Sequence, residues 1–582
     1  MLQASGLFES DEASLNREEV LGRLNEILQE WIKDVTARRL SPELAQDACV
    51  KLFTFGSYRL GVHTPGSDVD TLCIGARHVS RDEDFFGRGA AEPGLSMYER
   101  LQREPAVETV VAVPDAVVPE IKMVFSGVEI DLAFVPLSAD VVPEDLDVMQ
   151  TSLLRNLDDP SVKSMNGVRV ATNLCQLVPN VENYRAALRC IKLWCSRRGL
   201  NSNVLGFLGG VNMAILVARV CQLYPNAIPP TLVTKFFNLW EMWKWPSPVM
   251  LTEIVDEGLG HRVWDPRINP SDKRDLMPII TPSYPCQNSM YNVGPSTLKI
   301  MKDEFKRGVG VCGRVIQGTA TWDELFEPLQ FFKLYKHYLQ ITVKAENGED
   351  FKKWQGFVHS RLRKLVEQVE YSTHSLLMLH PHTEKVEDPD HDAATFCCYF
   401  MGVKKQKNLT GVAQTVDLNA PVDIFRRIVF DWRERPEGAD VLVSYMKRKD
   451  LPYFTDPEKA EERRAALAKE REAAGNGTKE GEGGEGEGAG KEGEGAANGA
   501  ANGAGPEAKG GASGAEGKAE GPPAEANGNK GVSTSADPKE EEGSKKRPRE
   551  ASEPAPEPPK KRSYAEAAKA AAAVNGGGAD PA

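Results

Sequence analysis

The residues best placed to do chemistry sit in the first quarter of the chain, where Phe55-Gly56-Ser57 is followed ten residues later by Asp68-Val69-Asp70. On a strand, residues two apart face the same way, so Asp68 and Asp70 project together while Val69 turns into the core. Paired carboxylates in one cleft repel unless a divalent cation lies between them, and Mg²⁺ favours carboxylate oxygens together with substrate phosphates. The segment VEIDLAFV supplies a third carboxylate, Asp131, flanked by Ile130 and Leu132, which would complete a two-metal site from a neighbouring strand. Glu129 shares the face of Asp131 and is the weaker candidate. Gly56 lets backbone approach a phosphate with no Cβ in the way, and Ser57 opens a helix with a hydroxyl and free N–H groups. Taken alone, the motif also reads as a β-turn ahead of an exposed strand edge.

Such a set of side chains needs a sheet to carry it. From Val50 to Leu137 the chain runs in short β-rich stretches (KLFTFGS, DVDTLCIGA, VETVVAVPDAVVPEIKMVFSG, VEIDLAFVPL), with a helix over Leu95 to Arg103. This pattern predicts a small α/β domain with a mixed sheet. Ahead of it, Leu21, Leu24, Ile27, Leu28, Trp31 and Ile32 recur at helical spacing, predicting an amphipathic helix from Ser14 to Val35. Beyond Leu137 the texture is helical (NYRAALRCIKLWCSRRGL, GFLGGVNMAILVARVCQLYP), and from residue 321 helix and strand alternate as in a compact α+β module with a four-stranded sheet.

From Asp456 onward lie 24 of the 51 glycines, one aromatic, and only Leu467, Val532 and Val574 as aliphatics larger than Ala. Such a stretch cannot bury enough apolar surface to offset its ordering entropy, so it is expected to be disordered. The net charge is −13, with 71 Lys and Arg against 84 Asp and Glu, so any nucleic-acid-binding surface must come from local clustering. Ten scattered cysteines without C-x-x-C pairing fit a reducing compartment, and no signal peptide or apolar run long enough for a bilayer is present. A soluble intracellular protein without membrane contact is expected. Two basic clusters in the tail, Lys545 to Arg549 and Lys560 to Arg562, suit a nuclear import receptor. Ser533, Ser535, Ser544, Ser552 and Ser563 nearby are candidate phosphorylation sites that would weaken import.

FTFGSYRLGVHTPGSDVDTLCIG, KMVFSGVEIDLAFV, LVPNVENYRAALRCIKLWCSRR, LGFLGGVNMAILVARVCQLYPNA and VWDPRINPSDKRDLMPIITPSYPCQNSMYNV together closely resemble the eukaryotic nuclear poly(A) polymerases of the DNA polymerase beta-like nucleotidyltransferase superfamily. The resemblance covers residues 45 to 450 and implies a fold that is α/β plus all-α plus α+β. Its parts would be an N-terminal helical segment (1–40) packing on the middle domain, a nucleotidyltransferase palm (45–140), a helical middle domain (141–310), an RRM-like RNA-binding domain (311–455) and the disordered tail (456–582). It implies transfer of AMP from ATP to RNA 3′ ends in mRNA processing, with Asp68, Asp70 and Asp131 as catalytic ligands of two Mg²⁺ or Mn²⁺ ions. Phe55, Gly56 and Ser57 would lie against ATP, Lys192 on the triphosphate, Asn166 and Asn203 on polar edges of the nucleotide, Gly210 and Val211 in backbone contact, and Thr281 near adenine. Partners implied are the RNA 3′ end and the cleavage and polyadenylation machinery, in the nucleus.

Two positions depart from the family pattern: Asn201 stands where Tyr is usual, and Ser196 where a further Lys would approach the triphosphate. Arg197 or Arg198 could substitute. Two alternative readings stay open, a terminal transferase of different base preference and a catalytically weak RNA-binding scaffold. Basic residues interleaved with aromatics suggest RNA contact at Lys333, Lys336, His337 and Lys344, at Lys352, Lys353, Trp354, Arg361, Arg363 and Lys364, and at Lys404, Lys405 and Lys407. His380 and His382 read as an exposed turn, and Trp240, Trp243 and Trp245 as domain core.

Overall fold

In a computed structural model of the chain, residues 2–90, 94–406 and 416–476 are described. The long helix α1 (Asp11–Arg39) begins where the Ser10 hydroxyl accepts the Ala13 amide, and a short α2 (Pro42–Gln46) follows. The palm then runs β1 (Lys51–Thr54), α3 (Gly56–Arg59), β2 (Val69–Gly75), α4 (Met97–Arg103), β3 (Val107–Val113), β4 (Glu120–Phe125) and β5 (Val128–Pro136). The sheet order is β1-β2-β5-β4-β3, parallel between β2 and β5 and antiparallel elsewhere.

Strand alternation gives this sheet two apolar faces. Val69, Cys73, Ile130, Leu132 and Phe134 meet Leu24, Leu28, Trp31 and Val35 of α1, with the Trp31 ring edge-on to Phe134 at 5.4 Å. The N-terminal helix therefore packs on the palm, contrary to the expectation that it joins the middle domain. Its apolar stripe covers a sheet face that no other long helix reaches among the described residues, and it is the segment ahead of the helix, with Leu2, Leu7 and Phe8, that meets the middle domain. On the opposite face Leu72, Ile74, Ala133 and Val135 are covered by Val162, Met165 and Val168 of α5 (Asp159–Leu177). Asp70 and Asp131 continue that second face to the strand ends.

Four further helices, α6 (Val181–Arg197), α7 (Gly210–Leu223), α8 (Pro229–Met242) and α9 (Pro295–Ile316), enclose a core of Trp194, Phe236, Phe237, Trp240 and Phe305. Gly308 on α9 has no Cβ to collide with the Phe237 ring, so α8 and α9 approach closely there. The last unit comprises α10 (Phe331–Leu334), β6 (His337–Lys344), α11 (Gly348–Ser372), β7 (Leu377–Pro381), β8 (Phe396–Lys405), α12 (Asn419–Phe430) and β9 (Asp440–Lys447). Its four strands form an antiparallel sheet in the order β7-β8-β6-β9.

Residues expected to be disordered from Asp456 instead begin with α13 (Pro457–Asn476). Its Ala, Glu, Lys and Arg content favours helix without large aliphatics, and Ala460 is buried against the body. The basic clusters and serines of the tail lie outside the described residues, as does Lys407. All ten cysteines are free, and no described helix is long and apolar enough to cross a membrane.

Candidate active site

Parallel pairing of β2 with β5 sets Asp70 level with Asp131, and Asp68 stands just ahead of β2. Oxygens from the three carboxylates lie within 4.8 Å of one another. Burial, then the neighbouring charges of Asp68, Asp131 and Glu120, push the Asp70 carboxyl up to about 6. Lys122 on β4 faces Asp131 and is shared between Asp131 and Glu120, the latter at 2.8 Å. Burial alone would lower the Lys122 pKa, but the two carboxylates more than offset it and hold it at about 12. A group of oxygen donors whose crowding raises the Asp70 pKa and draws in the Lys122 ammonium has the chemistry a hard divalent cation requires.

Gly56 has a different duty from the one its sequence context suggests. Its φ is +61°, and a Cβ there would lie 1.8 Å from the Asp70 Oδ2. The bare Cα makes room for a carboxylate of the triad, while the Phe55 amide donates to the Asp70 carbonyl at 2.9 Å. The Phe55 ring in turn occupies space that a side chain at Gly167 of α5 would fill.

Above the aspartates opens a cleft of about 510 Å³, shared between the palm, α5, α6, α7 and the segment around Thr281. Its walls hold eight of the nine expected nucleotide contacts: Phe55, Gly56, Ser57, Asn166, Lys192, Gly210, Val211 and Thr281. Lys192 is held by the Val62 carbonyl at 2.9 Å, and burial lowers its pKa. No carboxylate lies within ion-pair distance of it among the described residues, so the protein leaves its charge unneutralised. The Asn166 amide nitrogen reaches the Pro285 carbonyl at 3.5 Å, whereas its Oδ1 is a buried acceptor with no partner among the described residues. The Thr281 hydroxyl already accepts the Gln287 amide at 3.0 Å.

Asn203 is the expected contact that the cleft wall lacks. Its amide nitrogen donates to the Ser289 carbonyl at 3.0 Å and Asn212 Oδ1 at 3.2 Å, and Asn212 Oδ1 accepts the Gly209 amide at 2.7 Å. Asn203 thus braces the turn that starts α7 and presents Gly210. Ser196 and Arg197 also lie away from the aspartates, in a pocket with His380 and His382. Arg198 is committed to Glu304, with N–H donors at 2.8 and 3.0 Å. Neither arginine replaces a lysine at the triphosphate. His380, expected in an exposed turn, is buried with Nδ1 at 2.6 Å from the Tyr335 hydroxyl, because LHP ends β7, an edge strand of the sheet whose residues are all buried.

The expected basic surface divides in two. On α11, Lys353 pairs with Glu349, Arg363 and Lys364 pair with Glu367, and Trp354 is core, donating to the Asp440 carbonyl. The strand ends gather the expected Lys333, Lys336, Lys404 and Lys405 with Lys447 and Lys449, none paired with a carboxylate among the described residues. Arg448 ties the cluster together by donating to the Lys336 and Lys333 carbonyls at 3.0 and 3.1 Å. Lys447 to Lys449 escaped sequence reading, since β9 carries no aromatic signature of an RNA-binding strand.

Three family models match consecutive parts of the chain: "Poly(A) polymerase nucleotidyltransferase domain" over residues 1–178, "Poly(A) polymerase central domain" over 183–328, and "Poly(A) polymerase predicted RNA binding domain" over 330–394. The chain belongs to the poly(A) polymerase family. Among poly(A) polymerases, it is 46% identical over 458 residues to Nuclear poly(A) polymerase 1 of Arabidopsis thaliana, covering 78% of this chain and 63% of that protein. It is 45% identical over 470 residues to Poly(A) polymerase of Dictyostelium discoideum, covering 78% of this chain and 56% of the relative. The chain therefore spans about three-fifths of the length of these relatives. A solved structure of Cid1, titled for its RNA terminal uridylyl transferase activity, aligns at a TM-score of 0.37 with 16% identity, over 55% of this chain and 94% of that chain.

Proposed function

We propose that the chain is a template-independent polyadenylate polymerase that adds AMP from ATP to RNA 3′ ends and releases pyrophosphate. The observation that carries this reading is the convergence of Asp68, Asp70 and Asp131 at the base of a cleft that also holds the unneutralised Lys192 ammonium and the orphan Asn166 oxygen. The three aspartates would hold two divalent ions. When bound, such ions lower the pKa of the RNA 3′-hydroxyl and neutralise charge on the triphosphate.

The protein's own groups do the positioning. Lys192 receives the triphosphate, Asn166 accepts from the adenine amino group, and Phe55, Gly210 and Val211 enclose the nucleotide. Thr281 closes the far wall with its hydroxyl held by Gln287. The RNA hydroxyl then attacks the α-phosphate in line, and pyrophosphate leaves toward Lys192 with no covalent enzyme intermediate. The lysines gathered by Arg448 supply phosphate contacts for the preceding RNA, a sequence-tolerant mode of binding. Nuclear residence is supported by relatives whose names carry the word nuclear, and association with the cleavage and polyadenylation machinery completes the reading.

The test is extension of a short RNA with each nucleoside triphosphate separately, in Mg²⁺ and then in Mn²⁺. Long products with ATP alone are expected. Equal or better extension with UTP would remove the adenylyl assignment.

A further inference from the structure

The basic face of α6 is more ordered than a solvated helix surface. Arg185, Arg189 and Lys192, spaced to share one side of the helix, donate to three consecutive backbone carbonyls of the palm. Arg185 Nε reaches Leu60 O at 2.9 Å, Arg189 Nη2 reaches Gly61 O at 2.5 Å, and Lys192 Nζ reaches Val62 O at 2.9 Å. The loop they grip leaves α3, which carries Gly56 and Ser57, and leads to Asp68. Gly61 has φ +67°, and a Cβ there would lie 2.8 Å from Arg185 Nε, so the contact depends on glycine. Arg189 is clamped from its other side by the Phe8 ring, 4.7 Å from its guanidinium carbon. Glu9, next in the chain, accepts from Arg17 Nε at 2.7 Å and lies 3.4 Å from His63 Nε2 of the same palm loop.

We propose that Arg185 and Arg189 are positioning residues that lash the Leu60–Val62 loop to α6 and so set the Lys192 ammonium at a fixed distance from the aspartate triad. The inference rests on the nucleotidyl-transfer reading for the role of Lys192. An ammonium has three donors; one is spent on Val62 O, leaving two for phosphate oxygens. Because all three cations bond neutral carbonyls, the grip holds Lys192 without cancelling its charge. Without the arginines Lys192 becomes the sole hydrogen-bonded tie between helix and loop among the described residues, and its ammonium is drawn from the phosphate to that duty.

The experiment compares the full chain with Arg185→Ala, Arg189→Ala and Arg189→Lys, alone and combined with Lys192→Ala. ATP affinity is measured by calorimetry alongside KM and kcat for extension. Each alanine change is expected to weaken ATP binding and raise KM by about tenfold, with kcat changed far less and RNA affinity unchanged. Arg189→Lys should restore most of the loss. In a Lys192→Ala background the arginine changes should add almost nothing, since they act through that lysine. Full additivity with Lys192→Ala, or unchanged ATP affinity in Arg185→Ala, overturns the proposal. Should Arg189→Ala fail to fold, Arg185→Ala and Arg189→Lys decide the matter. A wild-type chain that binds ATP but never extends RNA counts against the polymerase reading alone, because calorimetry still reads the coupling to Lys192.

Discussion

Replacing Gly56 by Ala perturbs the site at its tightest contact. The added methyl would stand 1.8 Å from Asp70 Oδ2, and ordinary contact begins at 3.4 Å, so the carboxylate must retreat by the difference or the α3 turn must open. A misplacement of roughly 1 Å in a reacting group costs on the order of a hundredfold in rate. The positive φ of 61° adds strain for any side chain, about 1 to 2 kcal/mol of stability. Gly56→Ala should therefore remain folded, melt a few degrees lower, and extend RNA with ATP roughly a hundredfold more slowly or worse. Primer extension under single-turnover conditions reads the rate, and thermal denaturation reads the fold. Gly22→Ala serves as the control, since the methyl there meets nothing within 4 Å and lies on α1. Near-normal extension by Gly56→Ala would refute the idea that the bare Cα exists to seat Asp70.

Three further outcomes follow from the same geometry. His380 is buried with its pKa lowered to about 3 by desolvation, so the unfolded chain takes up a proton near 6.5 that the folded chain refuses. Its contribution is intact above that pH and falls with acidification by up to about 1.4 kcal/mol per pH unit; urea melts of wild type and His380→Phe between pH 7.5 and 5 should diverge in slope, and parallel slopes would contradict this. Chelator-treated protein should gain thermal stability when Mg²⁺ or Mn²⁺ is restored, and Asp131→Ala should lose that gain, because bound cation relieves repulsion in the native triad. Lys404→Ala, Lys447→Ala and Arg448→Ala should weaken RNA binding and flatten its salt dependence by roughly 0.7 for each phosphate no longer neutralised, whereas Lys353→Ala on α11 should leave both unchanged; an equal effect from Lys353→Ala would relocate the RNA surface.

The triad was legible because its signal is local: Asp68 and Asp70 share a face by strand alternation, and Asp131 needs only the parallel register of β2 with β5 to join them. The surrounding charges were not. Glu120 and Lys122 read as ordinary alternation in EIKMVF, and only the antiparallel pairing of β4 with β5 puts Lys122 on Asp131. Arg185 and Arg189 look like any solvated helix face until the palm loop is found against them. Asn203 shows the converse error, since its amide is used up by partners up to 89 residues away. The docking of α1 turned on which of two apolar surfaces was left uncovered, a tertiary question its own periodicity does not pose. α13 was missed because counting large aliphatics measures core formation and says little about helix propensity.

Asp70 and Asp131, joined with Asp68, are held to carry nucleotidyl transfer from ATP to RNA. Single-turnover extension of a radiolabelled RNA by wild type, Asp70→Ala and Asp131→Ala, with RNA affinity measured on the same preparations, tests this most directly. Adenylate addition is expected from wild type and none from either variant, with RNA affinity within about twofold of wild type for both, since neither substitution touches the lysines around Arg448 that are proposed to contact the RNA phosphates. Extension by either variant at a rate comparable to wild type would contradict it, as would a wild type as inert as Asp70→Ala, which would make the chain an RNA-binding scaffold.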